Sequence, residues 1–338
     1  MRILYAGSPA IAVPALRTLA DAVLAGEGWE LAGILTNPDR PRLRRGEPEP
    51  TEVAKAAQAL FPALACRRDA EPGNIPALLK PEKLDAPLRE QVALLRPDLL
   101  VSFAYGRIFG PRFLALFPWG GINIHPSLLP KYRGAAPIPQ VILNQERETG
   151  ITIQKLAAEM DAGDILVQEA FPLTGRETTG TLNEYAGIRG AEMLRALLSG
   201  LGPGLPEGKP QNHGEATFCA LIKKEDGRIN WDLAAPVIDA QVRAYTPWPL
   251  CRTRHGERDL YILRGHPYDL RSRHHEGLPR EPVPPPGTVL GIDKQAGILI
   301  QTGDGIFAVE VLQYAAKKAL DWRTFSNGAR DFIGSRLT

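Results

Sequence analysis

Asn123 and His125 stand two residues apart within residues 120–138, which read GGINIHPSLLPKYRGAAPI. In a strand, side chains at i and i+2 project to one face. The spacing therefore sets an amide beside an imidazole and turns Ile122 and Ile124 to the opposite face. Pro126 ends the pairing, because proline has no N–H to give to a ladder. Residues 127–137 are rich in Pro and Gly and read as an ordered loop beside the pair. Two such donors at a strand end, next to a shaped loop, suit the polarisation of a carbonyl and the stabilisation of the oxyanion that forms from it. A carboxylate follows at Asp161, in the run Met160-Asp161-Ala162-Gly163-Asp164. By spacing alone it reads as a turn aspartate bonding its own backbone.

Other chemistries find less support. No G-x-S-x-G elbow is present to carry an enzyme nucleophile. The turn after the first strand reads A-G-S-P rather than G-x-G-x-x-G, which argues against a dinucleotide site. Cys66, Cys219 and Cys251 are scattered, and the six histidines form no H-x-x-x-H pair on a plausible helix, so no metal is implied.

The elements that must position these groups read as an alternation. Residues 2–7 form an apolar first strand, residues 11–24 carry helical spacing through Leu16, Leu19 and Val23, and residues 31–35 form a second strand. Helices are expected over 51–60, with Thr51 as N-cap, and over 87–95. The run DLLVSFA at 98–104 reads as a buried parallel strand, with Tyr105-Gly106 at its C-terminal end, where open α/β sheets hold ligands. A helix over 139–144, strands over 151–156 and 165–170 and a long helix over 181–198 complete a doubly wound α/β domain, expected to span residues 1–203.

Residues 204–212 belong to a Gly/Pro-rich run and read as a linker. From 213 to 338 the character changes. Short strand-like runs recur at 217–221, 251–254, 260–263, 288–292, 297–302 and 305–312, with a helix at 236–244, and together predict a small β-barrel.

The stretch N-x-H, S-L-L-P, R-G-A-A-P-I, joined downstream by Asp161-Ala162-Gly163-Asp164, resembles the signature of the 10-formyltetrahydrofolate-dependent formyltransferases. The resemblance runs on through Ile229-Asn230-Trp231, residues 243–249 (RAYTPWP) and Lys317-Lys318, so it covers both halves of the chain. It implies a Rossmann-like, mostly parallel sheet with a smaller C-terminal OB-like barrel. It also implies 10-formyltetrahydrofolate as formyl donor, without a metal, and Asn123, His125 and Asp161 as the catalytic set. Ser127, Leu128, Leu129 and Pro130 would form the folate-contacting loop. The C-terminal half matches the branch acting on methionyl-tRNA, so the implied acceptor is initiator methionyl-tRNA, held by the C-terminal domain and by Arg42, Arg44 and Arg45. Those arginines follow Pro38-Asp39-Arg40-Pro41, but the loop lacks the family's Gly/Lys-rich middle and continues into Glu47 and Glu49. By composition alone it reads as a solvated loop. Transfer to a sugar amine, or hydrolysis of formyl-folate, uses the same N-x-H and Asp and is the second reading. A non-catalytic RNA-binding protein is the third.

The chain has 338 residues, with 44% hydrophobic and 23% charged, as ordinary globular proteins do. A net charge of +2 is too small to announce a nucleic-acid binder, so any polynucleotide contact must come from local clusters. No basic segment followed by an apolar run opens the chain, and no run of 18 apolar residues occurs, which points to the cytoplasm and away from a membrane. Nothing in the sequence demands a protein partner.

Overall fold

The computed structural model describes residues 1–41, 46–62, 75–269, 283–329 and 331–338. Arg42, Arg44, Arg45 and Cys66 lie outside the described residues. The chain divides into two compact units. One comprises Met1–Pro137, Glu148–Pro172 and Leu182–Ala220; the other Ile138–Arg147, Leu173–Thr181 and Leu221–Thr338.

The first unit is built on seven strands: β1 (Arg2–Gly7), β2 (Glu30–Leu35), β3 (Ala77–Leu79), β4 (Leu99–Phe103), β5 (Gly121–His125), β6 (Glu148–Lys155) and β7 (Ile165–Pro172). Their order is β7-β6-β5-β4-β1-β2-β3. The five strands from β3 to β5 run parallel, and β6 and β7 add to the β5 edge antiparallel. Helices α1 (Val13–Leu24), α2 (Glu52–Leu60) and α3 (Ala86–Leu94) supply the crossovers among β1 to β4. Helix α2 starts where the sequence predicts, with the Thr51 hydroxyl accepting from the Ala54 N–H at 3.1 Å. Strands β1 and β4 are apolar and almost entirely buried, as strands covered on both faces must be. A file of aromatic rings, Tyr105, Phe109, Phe113 and Phe117, has successive centroids 5.4, 5.3 and 5.7 Å apart and packs against Leu88, Val92 and Leu100. Burial pushes the Tyr105 phenol up to about 12.

Helices α4 (Pro137–Leu143) and α5 (Thr179–Ser199) follow β5 and β7 in the chain. In the second unit, β8 (Cys251–His255), β9 (Arg258–Pro267), β10 (Val289–Asp293), β11 (Gly297–Gln301) and β12 (Ile306–Tyr314) form an antiparallel sheet ordered β8-β9-β12-β11-β10. Helices α6 (Ala235–Ala244) and α7 (Trp322–Gly328) belong to this unit, as does α4 from Ile138 on. Residues 335–338 join the two edges: Arg254 and Thr338 exchange N–H···O bonds of 2.8 and 3.1 Å, and the Val289 N–H donates to Ser335 O at 2.9 Å. The sheet is thereby closed, as the expected barrel requires.

The expected boundary shifts. Lys209 pairs antiparallel with Ile165, with both N–H···O distances 2.8 Å. Phe218 and Cys219, expected as the barrel's first strand, instead pair in parallel with Arg133 and Gly134. The run expected as a linker over 204–212, and the first residues expected in the barrel, are thus part of the first unit as far as Ala220. Gly and Pro content is a mark of irregular backbone, and irregular backbone is also what a chain needs to thread along another segment.

Candidate active site

Strand β5 ends at His125, and its C-terminal end carries the site. Ile122 and Ile124 are buried on one face, while Asn123 and His125 share the other; His125 is only 4% exposed. Antiparallel β6 sets Gln154 opposite Asn123 and Thr152 opposite His125. Asp161, from the turn between β6 and β7, reaches the same place. Its Oδ1 lies 3.6 Å from His125 Nδ1 and 3.5 Å from Asn123 Nδ2. The three residues singled out as a catalytic set in the sequence are therefore neighbours in space, although Asp161 is 36 positions beyond His125 (161 − 125).

The shorter bonds of Asp161 go elsewhere. Its Oδ2 accepts from the Gly134 N–H at 2.8 Å and its Oδ1 from Gln154 Nε2 at 2.9 Å. These two donors hold the carboxylate, while the longer contacts to Asn123 and His125 are weak as hydrogen bonds and leave those donors to be used. His125 Nε2 lies 2.8 Å from the Tyr132 carbonyl oxygen. A carbonyl only accepts, so Nε2 carries the hydrogen and Nδ1 is the atom that faces Asp161.

Two glycines let the backbones come this close. A Cβ on Gly134 would stand 2.3 Å from Cys219 O, and Gly134 sits at φ +115°. A Cβ on Gly163 would stand 1.8 Å from Lys155 O. Asp161 itself sits at φ +54° in the left-handed region, which aspartate tolerates better than most residues. Cys219 donates its thiol to the carbonyls of Arg133 and Tyr132 at 3.2 and 3.5 Å; burial, aided by the charge of Asp161, pushes that thiol up and keeps it protonated.

The loop expected to meet folate is tied to the sheet. Ser127 is fully buried, its hydroxyl donating to Lys131 O at 2.7 Å and its carbonyl accepting from Thr152 Oγ1 at 2.7 Å. Leu129, 3% exposed, receives the Gln168 Nε2 donor on its carbonyl at 2.9 Å and precedes a cis peptide to Pro130. Leu128 and Pro130 remain half-buried. Ser127 and Leu129 thus shape the loop, and Leu128 and Pro130 keep part of their surface exposed.

Three residues at this site escape a motif reading. Gln154 and Thr152 show the same two-residue alternation of polar groups as Asn123 and His125, and that pattern was available in the sequence. Gln211, in the Gly/Pro-rich run, is buried and donates to the carbonyls of Asp161 and Gly163; no periodicity marks it. Among the described residues no three His, Cys, Asp or Glu side chains are grouped so as to hold a metal, and no helix is long and apolar enough to cross a membrane.

Comparison with known proteins bears on the chain as a whole. Residues 6–196 match the family described as formyl transferase, and residues 221–330 match the formyl transferase C-terminal domain. The methionyl-tRNA formyltransferase of Treponema denticola is 44% identical over 333 residues, covering 98% of each chain. That of Roseiflexus castenholzii is 39% identical over 341 residues, covering 100% of this chain and 99% of the other. Among solved structures, the sugar 3N-formyl transferase WlaRD superposes with a TM-score of 0.60 at 18% identity, over 94% of this chain and 99% of that one. HypX from Aquifex aeolicus, in complex with tetrahydrofolic acid, superposes with a TM-score of 0.57 at 16% identity, over 98% of this chain and 48% of that one. These two likenesses concern the fold. The full-length identity concerns the family, and by it the chain belongs to the methionyl-tRNA formyltransferases within the formyl transferase family.

Proposed function

We infer that the chain transfers the formyl group of 10-formyltetrahydrofolate to the α-amino group of initiator methionyl-tRNA, and that Asn123, His125 and Asp161 carry the reaction. The supporting observation is the convergence of Asn123 Nδ2 and His125 Nδ1 on one Asp161 oxygen, within 3.5 and 3.6 Å, at the C-terminal end of a parallel strand.

The amine is the nucleophile. A free α-amino group titrates near roughly 7.7–8.0, so a useful neutral fraction exists at cellular pH. Its nitrogen bonds to the formyl carbon while the carbonyl π electrons move to oxygen. Asn123 donates an amide hydrogen to that oxyanion, and protonated His125 donates from Nδ1, its Nε2 being held by Tyr132 O. Asp161 pairs with the imidazolium and accepts a proton from the attacking amine. The oxyanion then re-forms the carbonyl as the C–N10 bond breaks, its electron pair stays on N10, and that nitrogen takes the proton that Asp161 accepted. Leu128 and Pro130 offer apolar surface to the folate, on the loop that Ser127 and Leu129 hold in shape.

The acceptor end of the tRNA is assigned to Arg42, Arg44 and Arg45 and to the second unit. The test is a formyl-transfer assay with 10-formyltetrahydrofolate and charged initiator methionyl-tRNA. Wild type is expected to make formyl-methionyl-tRNA, and His125→Ala to be slower by about 10²–10³-fold, as when one oxyanion donor is removed. Consumption of the folate without tRNA would point instead to hydrolysis or a sugar amine. Binding of the tRNA without turnover would point to an RNA-binding protein.

A further inference from the structure

We propose that Gln211 is the positioning residue for Asp161 in formyl transfer. This rests on the catalytic reading above. Gln211 is 6% exposed and comes from the segment that runs alongside β7 through the Lys209–Ile165 pairing. Both ends of its side-chain amide are engaged. Nε2 donates to Asp161 O at 2.9 Å and to Gly163 O at 2.7 Å, with Gln154 Oε1 at 3.2 Å. Its Oε1 accepts from Arg133 Nε at 3.1 Å and Nη2 at 2.7 Å.

One side chain thus holds both sides of the carboxylate. On one side it grips the backbone of Asp161, whose φ of +54° is a conformation that needs support from its surroundings. On the other it grips Arg133, whose neighbour Gly134 supplies the N–H bonded to Asp161 Oδ2. Arg133 is 1% exposed, and its other polar side-chain neighbours are His213 Nδ1 at 3.3 Å and the Glu159 carboxylate at 3.7 Å. Gln211 is therefore the group that fixes Arg133–Gly134 and the Asp161 turn relative to each other. Displacements of about 1 Å in such an arrangement cost turnover on the order of 10²-fold, without the residue touching substrate.

The full-length chain tests this with two substitutions. Gln211→Met keeps the volume and removes every polar interaction. Gln211→Glu keeps the acceptor for Arg133 and removes the donors to the Asp161 and Gly163 carbonyls. Both are expected to lower kcat by about 10–100-fold with the KM for 10-formyltetrahydrofolate within a factor of about two. In an Asp161→Asn background the same changes are expected to cost less than about threefold more, because the group they position is gone. Unchanged kcat in Gln211→Glu, or a full additional loss in the Asp161→Asn background, would overturn the inference alone. Full turnover in Asp161→Asn itself would overturn it together with the reading on which it rests. Should Gln211→Met fail to fold, Gln211→Glu decides.

Discussion

At the scale of single residues, Asp161 has the most to lose. It accepts from Gly134 N–H and Gln154 Nε2 and faces both Asn123 and His125. Asp161→Asn keeps the shape, but puts an amide where a carboxylate accepted two hydrogen bonds and removes the charge that pairs with an imidazolium. Turnover is expected to fall by about 10²–10⁴-fold, the usual range for a group that handles a proton, with little change in folate affinity. Steady-state kcat beside the folate KM checks this, and near-normal turnover removes Asp161 from the mechanism. Asn123 and His125 were legible from strand alternation, and Asp161 only once a family pattern joined it to them, because a D-x-G turn looks the same with or without chemistry. Gln211 was not legible, since a glutamine in a polar run carries no sign of the burial that makes it matter.

At the scale of elements, most strand and helix positions followed from apolar periodicity with boundaries moved by a few residues, but helix α7 was not expected and the 217–221 strand left the barrel. Strand β3 was missed because it has three residues, ALL, too few for any period to show. The barrel was visible as repeated short strands, but its closure by residues 335–338 was not, because edge pairing is a long-range fact. His255 sits inside that closure. Its Nδ1 lies 2.7 Å from the Tyr314 hydroxyl and its ring meets Phe332 edge-on at 4.9 Å. Burial, reinforced by Arg258 and opposed by Asp331, holds its ionisation below the ordinary histidine value. The unfolded chain therefore takes up this proton first. The contribution to stability is complete above about pH 6.5 and disappears as pH falls through the lower native value. Thermal unfolding at pH 7.5 and at pH 5.5 is expected to show a larger drop in Tm for wild type than for His255→Gln. Equal drops would mean that other groups control the acid limb.

At the scale of the whole molecule, the small net charge leaves attraction to tRNA to local clusters. Replacing Arg42, Arg44 and Arg45 together by Ala is expected to weaken tRNA binding. It should also flatten the slope of log K against log salt by about 0.7–0.9 for each phosphate that is no longer neutralised. Binding titrations at several salt concentrations read both quantities, and an unchanged slope returns the loop to solvent. The two-part layout was legible as a change in character along the chain. The dividing point was not, because the most conspicuous Gly/Pro run lies inside the first unit.

That displacement bears on how such a protein can be taken apart or recombined. A cut at residue 203 would leave Asn123, His125 and Asp161 on one fragment and send Gln211, Lys209 and the Phe218–Cys219 pairing away with the other. The fragment would lose the Gln211 donors to the Asp161 and Gly163 carbonyls and the strand pairing at Arg133–Gly134. The later junction lies at residues 220 and 221, where the first unit ends and the second family match begins, although residues 138–147 and 173–181 of the second unit stay on its N-terminal side. A split or fusion made at that later junction keeps Gln211, Lys209 and the Phe218–Cys219 pairing with Asn123, His125 and Asp161.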